Sequence, residues 1–406
     1  MMKYYKYKDL LLISEETLSN KFTNITEEEG LNLNRRAYYL GKRPLNDFRS
    51  YFRVSSIKEL YNEDLNVIIK EKEEENKLCK VLRNLSFINL NVDNWEEIIE
   101  DKPSKKYKIN IVGLGDVGGT LLTGLRLLGA DVVENIGIYD LDKNKVDRWY
   151  FEANQIYDTN NIDMPKIIKI NEDELFNCDL FIFCVSVFVP EVGDEKKDVR
   201  MAQFEGNKKV ISIYSKMARK ANFKGDFAVV SDPVDLLCKV VFNESNKNEN
   251  GDFDFKGLSS HQIRGYGLGV MNGRAAFYAD EFNIDYENEG RAFGPHGEGL
   301  IIANSIENYD ENISDFLTEK TKTANLEVRA SGFKPYIAPA LSSGAVSILA
   351  YLRGQWHYST SFLGGVFMGI KNRTTESGIE LERYNMPEEL LNKLKQTYNY
   401  LNALYN

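Results

Sequence analysis

Between residues 107 and 250 the chain alternates short apolar runs with stretches of helix length. The runs fall at residues 109–112, 136–139, 180–185, 210–214 and 228–230. Near-continuous apolar strands alternating with helices predict a parallel sheet covered on both faces. From about residue 251 the pattern turns mixed. Longer helical spacings appear at 273–282, 313–329 and 338–352, and the tail at 387–405 places Leu390, Leu391, Leu394, Tyr398 and Leu401 on one side of a closing helix. Residues 1–100 mix apolar clusters with charged runs such as Glu71 to Glu75, read as solvated helix faces of a small α+β extension. The polar, proline-bearing stretch 100–106 serves as a linker. The expected organisation is an extension over 1–104, a doubly wound parallel α/β sheet of Rossmann type over 105–250, and an α+β substrate domain over 251–406.

Composition narrows the function classes. A net charge of −10 lacks the basic face of a nucleic-acid binder. No apolar run approaches the length of a membrane span, and the N-terminal apolar stretch is too short for a signal peptide. The four cysteines, Cys79, Cys178, Cys184 and Cys238, are widely spaced without a CxxC pair. That spacing argues against a zinc site or a disulfide framework and suits a reducing, cytoplasmic setting.

The first chemical signal is Gly113-Leu-Gly115-Asp116-Val117-Gly118, which follows an apolar strand and opens a helix with Val117, Leu121, Leu125 and Leu128 on one face. In this context Gly113 permits a tight turn, Gly115 lets a diphosphate approach the backbone, and Gly118 lets the helix pack close to the strand. The helix start offers unpaired N–H groups and a favourable dipole to phosphate. Asp140 ends the next strand, 27 residues beyond Gly113. A carboxylate there accepts hydrogen bonds from ribose hydroxyls and repels a 2′-phosphate, which favours NAD over NADP. Asp116 and Val117 complete the expected cofactor contact.

Three further segments follow in order: Ser231-Asp-Pro-Val-Asp-Leu-Leu237, Arg264-Gly-Tyr-Gly-Leu-Gly-Val-Met-Asn-Gly-Arg274 and Gly294-Pro-His-Gly-Glu298. Near the end come Tyr358 to Ser361 and Gly365 to Asn372, which are similar in position to the final strand pair of the lactate/malate dehydrogenase family. Together with the glycine turn, these segments resemble the lactate/malate dehydrogenase family over about residues 107–402, and residues 1–100 have no counterpart there. The resemblance implies an NAD-dependent oxidoreductase of a small 2-hydroxy or 2-keto acid, commonly a homo-oligomer.

The resemblance makes His296 the acid that exchanges a proton with the substrate oxygen, a task suited to imidazole. Of the three histidines, it alone sits among glycines on a short loop. Arg274 matches the arginine that clamps the substrate carboxylate, where a planar guanidinium binds bidentately. The sequence departs from the family in four places. The aspartate expected three residues before Arg274 is Met271, with Asn272 beside it, and neither supplies a carboxylate. Asp232 replaces the family's asparagine before Pro233 and could reach the histidine from another direction. The mobile loop offers Lys196 or Lys197 instead of an arginine, and Lys334 stands where the family has a small hydroxylated pocket residue. A buried Lys334 would point to a substrate with a second acidic group. The alternative to an enzyme is a non-catalytic NAD-binding homologue used for sensing or interaction.

Overall fold

A computed structural model describes residues 2–33, 36–70, 85–100, 106–161, 163–187 and 199–405. The run Glu71 to Glu75, Cys79, most of the 100–106 linker and the loop lysines Lys196 and Lys197 lie outside the described residues.

The middle of the chain forms six parallel strands: β7 (Tyr107–Val112), β8 (Val133–Tyr139), β9 (Lys166–Lys169), β10 (Leu180–Phe183), β11 (Asp226–Val229) and β12 (Ile263–Gly265). They lie in the order β9-β8-β7-β10-β11-β12. This is the doubly wound arrangement, whose strand order reverses at β7/β10 and leaves a crevice at the strand ends. Both faces are covered, as near-continuous apolar strands require. One packs Ile109, Ile111, Ile136 and Ile182 under Leu121, Leu122 and Leu125 of the helix Asp116–Leu128. The other packs Phe181, Phe183 and Phe227 under Ile211, Leu237 and Val241.

One expected strand is not one. The run 210–214 lies inside the helix Val199–Lys220. Its buried residues Asn207, Ile211, Tyr214, Ser215 and Ala218 recur at helical spacing, while Ile213 points outward at 58% exposure. A five-residue run with four apolar positions suits a buried strand or a helix turn equally, and here helix length decides.

The later chain adds β13 (Arg291–Phe293) and β14 (Ile301–Ala303) as a separate pair. It then adds β15 (His357–Leu363), β16 (Val366–Thr375) and β17 (Gly378–Leu381), which extend the large sheet beyond β12. The expected helix at 338–352 is a π-helical turn, Pro339–Val346, running into the α-helix Ser347–Leu352. Such π segments are uncommon and occur often at functional sites. This one is wedged between the helix Asp116–Leu128 and the helix Leu268–Glu281. A Cβ on Gly124 would fall 2.6 Å from Ala345, and one on Gly269 would fall 2.8 Å from the Ser342 carbonyl. Close packing therefore fixes the glycine-turn helix relative to the helix Leu268–Glu281.

The first hundred residues give β1 (Lys3–Tyr7), β2 (Leu10–Ser14), β3 (Thr23–Ile25), β4 (Ala37–Gly41), β5 (Tyr51–Arg53) and β6 (Leu85–Asn89), with a short helix Glu27–Leu31. Strands β2, β4 and β6 run parallel. Alternating side chains bury aromatic cores on both faces, Tyr39, Phe52 and Phe87 on one and Tyr5, Tyr38 and Phe22 on the other. This sheet continues into the main one where β5 meets β17. Buried Arg49 reaches Glu63 at 2.7 Å, and Ser50 Oγ lies 2.9 Å from both Ser260 Oγ and His261 Nδ1. Among the described residues no helix is long and apolar enough to cross a membrane.

Candidate functional site

The glycine turn sits at the C-terminal end of β7, at the crevice. Gly113 has φ +91°, a conformation that an L side chain strains to adopt, and a Cβ there would lie 2.8 Å from the Cys184 backbone. A Cβ on Gly118 would fall 1.9 Å from the Gly113 carbonyl, so strand and helix meet too closely for any side chain. Gly115 is the opposite case: a Cβ there would have no neighbour within 4 Å. The turn thus leaves an exposed cradle beside the free amides of a helix start, the geometry a diphosphate needs. Asp140 closes it from β8, one carboxylate oxygen accepting from the Leu114 amide at 2.8 Å and the other from the Asp142 amide at 2.9 Å. Each oxygen retains a lone pair for a ribose hydroxyl. Asp116 begins the helix, exposed, and half-buried Val117 follows it.

His296 stands on the loop joining β13 to β14. Gly294 turns that loop with φ +86°, and its amide donates to the Gly369 carbonyl of β16 at 2.9 Å. Across the site, the segment after β11 carries Asp232. Its carboxylate lies 3.0 Å from His296 Nδ1. A carboxylate only accepts, so Nδ1 carries the proton and Nε2 is left to exchange one. The other two histidines are committed elsewhere. His261 bonds Ser50, and buried His357 accompanies the Gln355 carbonyl at 3.0 Å, its pKa drawn by burial to about 4.

Arg274 projects from the helix Leu268–Glu281. Ser343 of the π turn pins the start of that helix, accepting from the Val270 amide and donating to the Gly267 carbonyl, both at 2.8 Å. Burial pulls the Arg274 pKa below its ordinary value, while the Asp232 carboxylate opposes that pull. Asp232 thus binds His296 and influences Arg274, which brings three of the sequence candidates together. The guanidinium borders a cavity of about 830 Å³.

Two expectations need correction. Asn272 does not face this cluster, because its Oδ1 accepts from the buried Tyr286 hydroxyl at 3.0 Å. Two residues before Arg274 means about 200° around the helix, the opposite side. Met271 is buried in the apolar core. Lys334 borders the cavity but is not buried. Its side chain is 61% exposed, and Nζ lies 3.7 Å from Asp116 of the glycine turn. The inference of a second acidic substrate group loses its premise there.

The structure adds residues not singled out from sequence. Asn207, buried in the helix Val199–Lys220, donates to the Asp232 carbonyl at 2.8 Å and accepts from the Val187 amide at 2.9 Å. Asp235, one helical turn past Asp232, is fully enclosed and accepts from Thr360 Oγ1 at 2.9 Å. Burial raises its carboxyl to about 7; the Thr360 hydroxyl and the His296 charge pull it down, and Asp232 pushes it up. Its place in the Ser231 to Leu237 segment was the available signal.

The Asp235 shift fixes a pH dependence of stability. An unfolded aspartate titrates near 3.9, so from about pH 4 to pH 7 the native state keeps a proton that the unfolded chain has lost. This contribution is fully present below about pH 4 and fades as pH rises through 7, at up to about 1.4 kcal/mol per unit. Asp235→Asn keeps the shape and an acceptor for Thr360. Thermal melts from pH 5 to 8 are expected to show a flatter profile and a gain of a few degrees at the alkaline end. An unaltered slope would show that Asp235 does not govern it.

Residues 107–253 match the family model described as lactate/malate dehydrogenase, NAD binding domain. That match gives NAD as the dinucleotide, in keeping with the Asp140 carboxylate. An L-lactate dehydrogenase of Borrelia turicatae is 22% identical over 325 residues, 72% of this chain and 95% of the relative. Among solved structures, a minor L-lactate dehydrogenase from Enterococcus mundtii superposes with TM-score 0.61 at 18% identity, covering 74% of this chain and 98% of the other. A malate dehydrogenase from Archaeoglobus fulgidus, in complex with NADH, gives 0.59 at 17%, covering 73% and 97%.

Proposed function

We propose that this chain, whose residues 107–253 are a lactate/malate dehydrogenase-type NAD-binding domain, is an NAD-dependent oxidoreductase that interconverts a 2-hydroxy acid and a 2-keto acid. The observation that carries the reading is the 3.0 Å contact between Asp232 and His296 Nδ1 in a cluster that includes Arg274. It answers one of the two grounds for a non-catalytic homologue, the missing aspartate before Arg274, because Asp232 supplies a carboxylate to the same imidazole; the other, the altered loop with Lys196 and Lys197, lies outside the described residues.

In the reducing direction Arg274 holds the substrate carboxylate through its planar fork. When bound, NADH supplies the two electrons and the hydrogen that the carbonyl carbon takes up. His296 Nε2 gives the carbonyl oxygen its proton, so the ketone becomes an alcohol and the imidazole becomes neutral. Asp232 holds Nδ1–H throughout and stabilises the imidazolium before transfer. The glycine cradle and Asp140 bind the cofactor, and the π turn keeps cradle and Arg274 in fixed relation. Residues 105–250 act as the cofactor domain, 251–406 as the substrate domain and 1–104 as an added layer on the sheet edge. The reading extends to a cytoplasmic homo-oligomer, consistent with free thiols at Cys178, Cys184 and Cys238.

Purified protein mixed with NADH and a panel of 2-keto acids is expected to consume NADH, followed by its absorbance. Measurable NADH binding without turnover of any acid would refute the proposal.

A further inference from the structure

We propose, resting on the 2-keto-acid reading, that the preferred substrate carries a bulky uncharged side chain, aromatic or branched, which the cavity beside Arg274 receives. The cavity lies between the helix Leu268–Glu281 and the segment that follows the helix Glu311–Ala330, with Arg274 in its wall. Its volume is about 830 Å³. A three-carbon keto acid has about six non-hydrogen atoms. At roughly the 30 Å³ a water occupies for each atom, it fills on the order of a quarter of that space.

The lining is apolar where a small acid would leave it wet. Phe277, Phe333 and Ile337 are 56%, 70% and 58% exposed, and Val328, Tyr336 and Pro339 add to the apolar part of the wall. Exposed aromatic and aliphatic surface in one concavity, with the Arg274 guanidinium, unpaired among the described residues, at its edge, matches an amphiphile with one carboxylate and one apolar body. The Arg274 guanidinium has no hydrogen bond or ion pair among the described residues, so it is available to that carboxylate. A second carboxylate on the side chain would fare poorly. Glu327 borders the same cavity, and Lys334, the only lysine among the described lining residues, is drawn to Asp116 of the glycine turn. Each methylene placed in an apolar pocket is worth about ten-fold or more in selectivity.

Two measurements test this. The first is kcat/KM with NADH for pyruvate and for 3-phenyl-2-oxopropanoate. The second is the Kd of the same acids by calorimetry in the presence of NAD, a readout independent of turnover. The aromatic acid is expected to exceed pyruvate by at least 100-fold in kcat/KM and to bind more tightly. Gly273→Leu narrows the cavity. A Cβ at 273 has only the Ser342 hydroxyl nearby, at 3.9 Å, and leucine suits a helix interior better than glycine, so the variant folds. It is expected to cut the aromatic-to-pyruvate ratio at least ten-fold. Equal or reversed preference would overturn the inference and leave the keto-acid reading standing, whether a second copy of the chain or nothing then covers the cavity. A ratio untouched by Gly273→Leu would also overturn it. If no acid binds or turns over, the oxidoreductase reading fails and this inference falls with it.

Discussion

Asp232→Asn is expected to lower kcat by about 10³ to 10⁴ while the KM for the acid holds or falls. The scale follows from the serine-protease triad, where neutralising the carboxylate behind the histidine costs about 10⁴ in rate. Here the carboxylate lies 3.0 Å from His296 Nδ1. Asparagine either accepts from Nδ1–H without charge or turns its amide toward the ring and fixes the wrong tautomer. Both deprive the imidazolium of its counter-charge. The KM behaves differently because Asp232 also acts on Arg274. Removing that negative charge frees the guanidinium's field for the substrate carboxylate. A merely structural role for Asp232 would lower kcat and binding together and reduce thermal stability. The companion His296→Gln should be at least as severe, and adding Asp232→Asn to it should cost little more, since residues that act as a unit are non-additive. Full additivity of the two losses would break the dyad assignment.

Legibility followed sequence distance. The glycine turn, the strands that flank it and Asp140 lie within the 34 residues from Tyr107 to Asp140, and their chemistry is local, so pattern and spacing sufficed. The His296 partner was harder. Sequence order pointed to the positions just before Arg274, but helix geometry sends Asn272 to Tyr286 and buries Met271. The carboxylate comes instead from Asp232, 64 residues before the histidine, the residue whose replacement of the family's asparagine made it a candidate to reach the ring from another direction. Lys334 was misjudged because exposure depends on what packs above a residue, which no local pattern records. The run at 210–214 failed for the opposite reason, being too short for its period to be read. The sheet joining the first hundred residues to β17 rests on a single parallel contact, Phe52 with Ile379, and no motif marks it.

Arg274→Gln is expected to reduce kcat/KM by about 10² to 10³, mostly through KM for the acid, with the Kd for NADH unmoved. The guanidinium is partly desolvated before substrate arrives, since burial already draws its pKa down. Its lost hydration is regained only when a carboxylate docks, and removing one partner of such a pair costs about 2 to 5 kcal/mol. Glutamine keeps length and one donor but no charge. Arg274→Lys should fall between, about ten-fold better than glutamine, because an ammonium restores charge without the fork that orients the acid. That ordering separates holding the carboxylate from supporting the helix, for Ser343 pins the helix start in all three proteins and their melting temperatures should agree. Steady-state kinetics with one keto acid and saturating NADH decides the matter. If the glutamine protein keeps kcat/KM within about three-fold, the acid is held elsewhere, and the 830 Å³ cavity beside Arg274 loses its claim to the substrate as well.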